Sequence, residues 1–234
     1  MYIMDKNLQY YKYKKYKKKY IFLKNKILLK GGEINSSKLS FIDSKFKPTT
    51  NAPKNESIKG IIVPHAGLAY SGQIADEVYK QIDFSKYEKI LLLSTNHYDP
   101  FNSYIPESTF FTLNSKNYNF EIIDNGEIIK SDEKFNNEHS WIVQLPFIDE
   151  SKKIIPILVG NNYQLYQDYI LNLIDDKTLV IANTDLLHCG GENEEECVNI
   201  DEKNYKTICN IKDFKLDGTN KLCGKNAICL FNYI

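Results

Sequence analysis

The sequence has 234 residues, with 30 basic and 30 acidic side chains and a formal net charge of zero. This length fits one large α/β domain that can bury a substantial core, and the balanced charge argues against a globally basic nucleic-acid-binding protein. No apolar run is long enough to span a membrane. The basic N-terminus also lacks the uninterrupted apolar stretch and the small-residue cleavage site of a secretory signal.

The cysteine content indicates the compartment. Five cysteines occur, at positions 189, 197, 209, 223 and 229, which is an odd number with irregular spacing and no CxxC pair. Such a pattern argues against a disulfide framework. We therefore expect a cytoplasmic protein in a reducing environment.

Residues 1–57 are predicted to form a basic N-terminal extension followed by a linker. The first 30 residues carry ten lysines and one acid, and they alternate Tyr and Lys without a helical or strand period. Residues 31–57 are polar and contain Gly, Ser, Asn and Pro, as loops do. We expect a solvated extension; contact with anionic lipid or nucleic acid is the functional alternative.

Residues 58–234 are predicted to form a single α/β domain. In chain order, the apolar patterns predict a strand at 61–63, a helix at 67–82, a strand at 89–94, short strands over 103–130, a helix at 138–148, a strand at 154–159, a helix at 163–174 and a strand at 178–182. This alternation is typical of a mostly parallel central sheet flanked by helices.

Three of the four histidines follow predicted strands. His65 follows the strand at 61–63, His97 the strand at 89–94 and His188 the strand at 178–182. Because the carboxyl ends of parallel strands lie at one edge of a sheet, the three imidazoles should meet in the crevice there. Asp185 shares this edge, and His139, at the start of the predicted helix 138–148, could also face it.

A cluster of imidazoles predicts a transition-metal site, because imidazole is the commonest ligand of such metals. An anionic ligand would complete a site with open positions for a substrate or for oxygen. Four residues are candidates for it: Asp185, Glu138, Cys189 and Cys223. Cys223 precedes a short apolar run, and a thiolate near a helix start is stabilised by the helix dipole.

Six short motifs resemble those of the Memo family, in the same order along the chain. They are PHAGLAYSG at 64–72, NH at 96–97, EHS with QLPF at 138–147, IPILVG at 155–160, DLLH at 185–188 and LCG at 222–224. Each motif is weak alone, but the set is specific. The sequence departs from the family at Trp141-Ile142, where members carry an apolar residue and then an acid.

The resemblance implies a fold related to the class III extradiol dioxygenases and a copper or iron site, with zinc as the redox-inert alternative. It implies that His65, His97 and Cys223 are the metal ligands. It also implies acid–base or other catalytic roles for His188, Asp185, His139 and Glu138. The expected activity is that of a metal-dependent redox protein, either an oxidoreductase or dioxygenase-like, acting on a small molecule. The alternative is a non-catalytic module that binds acidic or phosphorylated peptides in the same pocket, with help from Lys225.

Overall fold

The computed structural model describes residues 58–187, 194–209, 216 and 222–234. The predictions for residues 1–57, for His188 and for Cys189 therefore lie outside the described residues. Within the described ranges, no helix is long and apolar enough to cross a membrane.

A mixed sheet of eight strands, counted over the described residues, forms the centre of a single α/β domain. The strands are β1 (Gly60–Val63), β2 (Lys89–Thr95), β3 (Tyr104–Ile105), β4 (Phe110–Leu113), β5 (Lys116–Phe120), β6 (Ile129–Lys130), β7 (Lys153–Val159) and β8 (Thr178–Asn183). Their order across the sheet is β1-β8-β2-β7-β3-β6, and the β4–β5 hairpin joins β7 through β5. Strands β1, β8, β2 and β7 are parallel, which confirms the predicted fold class.

Helices cover both faces of this sheet. The α-helices are α1 (Leu68–Tyr79), α2 (Asp132–Asn137), α3 (Gln167–Leu173), α4 (Glu194–Cys209) and α5 (Lys225–Tyr233). One apolar core contains side chains of α1 and of the 3-10 helix Ile142–Phe147, and the other contains side chains of α3 and α5. Strand β2 serves both cores, because Ile90 and Leu92 face the first while Leu91 and Leu93 face the second.

The helix predicted over 138–148, up to Pro146, is present only in part, as a short 3-10 helix that starts later. Helix α2 ends at Asn137, Glu138 has an extended backbone, and the 3-10 helix runs over Ile142–Phe147. The start of α2 is fixed by Ser131, whose side chain accepts a hydrogen bond from the backbone N–H of Lys134. Pro146 has no N–H to donate, which suits a short 3-10 segment better than a continuous α-helix.

Cys197 is disulfide-bonded, although the spacing of the cysteines argues against a disulfide framework. Irregular spacing gave no sign of this, because spacing along the chain does not report which thiols meet in space. Cys223 and Cys229 are not disulfide-bonded.

Candidate metal centre

The candidate site lies at the carboxyl edge of the parallel strands. His65 lies two residues after the end of β1, His97 two residues after β2 and Asp185 two residues after β8. Strand β8 is paired in parallel with both β1 and β2. Residues two positions past the ends of these three strands therefore lie at the same edge of the sheet. The expected convergence of His65 and His97 is confirmed, with ring centroids 5.1 Å apart.

Cys223 reaches the same edge from the C-terminal part of the chain. Its backbone N–H donates to the carbonyl of Leu186 at 2.8 Å, and Thr184 donates to its carbonyl. Gly224 follows with a φ of 90°, and helix α5 begins at the next residue. This pairing with the segment after β8 holds the thiol over the ends of the strands.

The thiol and the two imidazoles form a compact set of donors. The Sγ atom of Cys223 lies 3.1 Å from Nε2 of His97 and 3.3 Å from Nε2 of His65. Zinc-type bonds of about 2.0–2.3 Å in tetrahedral geometry place ligand atoms about 3.5 Å from one another. The three donor atoms therefore fit one metal ion, and they all lie within 4.8 Å of one another.

The side chain of Glu138 lies behind His97. Its Oε1 atom is 2.8 Å from Nδ1 of His97, and its Oε2 atom accepts a hydrogen bond from the backbone N–H of His97 at 2.8 Å. The backbone N–H groups of His139 and Ser140 also donate to Oε1, each at 2.9 Å. This carboxylate is fully buried and satisfied by several donors.

Asp185 holds the loop that carries His65. Its Oδ1 atom accepts hydrogen bonds from the backbone N–H groups of His65, at 2.7 Å, and Ala66, at 2.9 Å. Its Oδ2 atom lies 3.6 Å from Nε2 of His65, on the side of the ring that faces Cys223. Asp185 thus adds negative charge beside the three donor atoms.

His139 packs against both candidate ligands, His65 and His97. Its ring stacks on His97 with centroids 4.9 Å apart and lies edge-on to His65 at 5.9 Å. Nδ1 of His139 lies 3.4 Å from Oε1 of Glu138. A second group of potential metal ligands, His97, Glu138 and His139, therefore adjoins the first and shares His97 with it.

Burial and neighbouring charges raise the pKa of some residues of the site and lower the pKa of others. Burial disfavours the charged form of His97, but its hydrogen bonds to Cys223 and Glu138 outweigh burial and raise its pKa to about 10. Burial likewise opposes ionisation of Glu138, yet the bond to His97 lowers its pKa to about 2. The pKa of His65 is also raised, since Asp185 and Cys223 outweigh its burial. Burial dominates at His139 and lowers its pKa to about 3.

A buried polar layer lies beneath the ligands. Asn183, at the end of β8, accepts a hydrogen bond from the backbone N–H of Thr95 and donates to Ser94 and to the carbonyl of Ser140. The hydroxyl of Thr95 lies 3.4 Å from Nδ1 of His65. Sequence reasoning missed Asn183 and Thr95, although both end strands that precede predicted site residues.

The other predicted site residues are placed as follows. The structure brings Asp185, Glu138 and His139 to the edge that holds His65, His97 and Cys223. Their catalytic roles stay predictions, and His188 lies outside the described residues. Trp141 and Ile142, at the departure from the family motif, are buried in the first core and add no carboxylate to the site.

The Memo-like protein family matches residues 33–232, and the chain belongs to this family. A MEMO1 family protein of Thermoplasma acidophilum is 26% identical over 192 residues, which cover 76% of this chain and 70% of that protein. The memo-1 homolog of Caenorhabditis elegans is 24% identical over 221 residues, covering 76% and 61% of the two chains. A MEMO1 family protein of Desulfurococcus amylolyticus is 34% identical over 160 residues, covering 59% and 56%.

Proposed function

We propose that this chain binds one transition-metal ion, copper or iron, through His65, His97 and Cys223, and that it acts as a redox protein at that centre. The convergence of the three donor atoms on one point is the observation that supports this function. Two imidazoles and a thiolate suit Cu(I), since soft thiolate ligands favour it, and zinc accepts the same donors.

The charges around the site favour a cation. The carboxylates of Asp185 and Glu138 lie within 3.6 Å of a ligand imidazole. An acidic or phosphorylated peptide, the alternative ligand, would meet these two carboxylates, although the exposed Lys225 at the start of α5 offers one opposing charge. A positive ion instead compensates the carboxylates and the thiolate together.

A bound copper or iron ion would supply electron transfer and a binding position for a small molecule. The protein's part is to hold the donors and to exclude water around His65, which is fully buried. Proton transfer by His188, oriented by Asp185, completes the proposed activity as a metal-dependent oxidoreductase.

The first test measures metal binding by the full chain after anaerobic purification. We expect about one metal ion per chain, and Cys223→Ser should weaken Cu(I) binding much more than Zn(II) binding, because thiolate stabilises Cu(I) most. Cys229→Ser is the matched control, since it removes a second cysteine that is not disulfide-bonded, on helix α5 and outside the donor set. Equal Cu(I) affinity for wild type and Cys223→Ser would overturn the ligand set.

The second test separates binding from turnover. His188→Ala should leave metal affinity largely intact while it lowers any oxygen-dependent turnover, because we assign this residue proton transfer and not ligation. Loss of metal binding in His188→Ala, with binding retained in Cys223→Ser, would point to a three-histidine site instead.

A further inference from the structure

We propose that Glu138 is a positioning residue that fixes the tautomer and the direction of the His97 ring, so that Nε2 faces the metal. This inference rests on the proposed metal-binding function. It gives Glu138 a different task from the catalytic role that the resemblance implies and from the place of the anionic ligand.

The position of Glu138 needs an explanation, because a fully buried carboxylate is costly. Removing a charged carboxylate from water costs several kcal/mol unless hydrogen bonds and an opposite charge compensate it. Glu138 receives three backbone hydrogen bonds, from His97, His139 and Ser140, and its one short side-chain contact with a ring nitrogen is to Nδ1 of His97. His97 supplies two of these four contacts, one from its backbone and one from its ring, and it is the residue that meets both oxygens of the carboxylate.

Both oxygens of Glu138 act on the same residue. Oε2 accepts from the backbone N–H of His97, and Oε1 lies 2.8 Å from Nδ1 of its ring. An anionic acceptor beside Nδ1 keeps the hydrogen on that nitrogen, so the lone pair of a neutral ring lies on Nε2. Nε2 is the atom 3.1 Å from the Sγ atom of Cys223.

His65 provides an internal comparison. Its Nδ1 atom faces the hydroxyl of Thr95 at 3.4 Å, which is long for a hydrogen bond and lacks a charge. A carboxylate behind a ligating imidazole orients the ring and raises its basicity, and losing such a partner typically lowers metal affinity about 10–100-fold. The effect of Glu138 should therefore pass through His97 and not through His65.

The test is a double-mutant cycle on Zn(II) affinity of the full chain, measured by competition with a chromophoric chelator. Glu138→Gln should bind Zn(II) about 10–100-fold more weakly than wild type. In a His97→Ala background the same substitution should change affinity little, whereas in a His65→Ala background it should keep its full effect. A general loss of structure would lower affinity equally in both backgrounds.

Asp132→Asn is the matched control. The carboxylate of Asp132 also accepts several hydrogen bonds, from the backbone N–H groups of Glu107 and Ser108 and from the Ser108 hydroxyl, but it contacts no ligand residue. We expect Asp132→Asn to lower the unfolding midpoint without changing Zn(II) affinity. Equal affinities of wild type and Glu138→Gln, or equal losses in the two histidine backgrounds, would overturn the inference.

A second measurement uses the wild type, so it holds even where Glu138→Gln fails to fold. Long-range nitrogen–proton NMR of the zinc-loaded protein should show His97 protonated at Nδ1 and bound through Nε2. Ligation through Nδ1 would overturn the inference while leaving the proposed function intact. Failure of the wild type to bind Zn(II) or Cu(I) would instead overturn the proposed function, and the inference with it.

Discussion

His139 gives the site a pH dependence that can be measured without metal. Burial lowers its pKa to about 3 in the folded chain, against 6.5 for an ordinary histidine. Below pH 6.5 the unfolded state binds a proton that the folded state excludes, so stability falls as the pH drops. The loss approaches about 1.4 kcal/mol per pH unit. His65 and His97, whose pKa values are raised, shift stability with pH in the opposite sense, and this contribution is common to any two proteins that share them.

The corresponding prediction concerns His139→Gln. Urea unfolding with a metal chelator present should show the wild type losing about 1 kcal/mol between pH 6 and pH 5 beyond any loss in the variant. The two proteins share all other groups that titrate in this range, so the difference between their slopes reports His139. Identical slopes for the two proteins would mean that His139 accepts a proton in the folded state.

The sequence predicts which residues form the site better than it predicts the contacts between them. His65 and His97 were predictable because a residue just past a buried parallel strand lies at the carboxyl edge. Cys223 was one of four candidates for the anionic ligand, and only the family resemblance singled it out, since nothing in the sequence requires its segment to pair with Leu186. That Glu138 turns towards His97 was not predictable, because an extended residue outside a helix or strand has no periodicity to fix the direction of its side chain.

Among the elements, Gly224 is the link between Cys223 and the start of helix α5. Its φ is 90°, and an added Cβ would lie 2.5 Å from the carbonyl oxygen of Asn183 and 2.5 Å from the Thr95 hydroxyl. Gly126 has a similar φ of 78°, but nothing lies within 4 Å of its would-be Cβ. The two glycines therefore separate the cost of a left-handed backbone from the cost of a clash.

We expect Gly126→Ala to destabilise the protein by about 1–2 kcal/mol, from the backbone conformation alone. Gly224→Ala should lose a further ~1–3 kcal/mol through overpacking against the ends of β2 and β8, and it should weaken metal binding by moving Cys223. Denaturant unfolding and Zn(II) titration measure the two effects. Equal destabilisation by both substitutions, with Zn(II) affinity unchanged, would show that the segment adjusts freely.

The centre of the sheet is covered on both faces, whereas the β4–β5 hairpin is exposed on one face. Substitutions should therefore change the free energy of unfolding differently in the two regions. Consecutive residues of β2, Leu91 and Leu92, face separate cores, so each change to Ala should cost about 2–5 kcal/mol. In β4, Phe111 is buried but Phe110 is 54% exposed. Phe111→Ala should cost about 3–5 kcal/mol and Phe110→Ala less than about 0.5 kcal/mol. Similar costs at both β4 positions, measured by urea unfolding, would contradict a half-exposed hairpin.

The parallel strands were predictable because strands buried on both faces have continuous apolar sequences, as at 90–93. The region around α2 was mispredicted because apolar residues at 142–148 pack into the core from a 3-10 helix that has no α-helical period. The capping residue Ser131, followed by Asp132 and Glu133 in the first turn, was a usable signal for α2. The prediction did not use this signal and followed the longer apolar run at 142–148, whose side chains are apolar because they pack into the core.

At the scale of the whole molecule, the candidate centre joins distant parts of the chain. The contacts of Cys223 with His97 and His65 span 126 and 158 residues of sequence. The site connects the ends of β1 and β2 to the segment before α5, so the three donors converge only in the folded state. A metal ion that binds this set therefore stabilises the folded state over the unfolded one.

The size of that stabilisation is predictable from mass action. At a free Zn(II) concentration 100-fold above the dissociation constant, the free energy of unfolding should rise by about 2.7 kcal/mol. Cys229→Ser should gain as much as wild type, because its thiol lies on helix α5 outside the donor set. Cys223→Ser and His65→Ala should gain much less at the same concentration, since each removes one of three ligands. Equal gains in all four proteins, measured by urea unfolding with and without Zn(II), would place the bound metal somewhere other than the edge of the sheet.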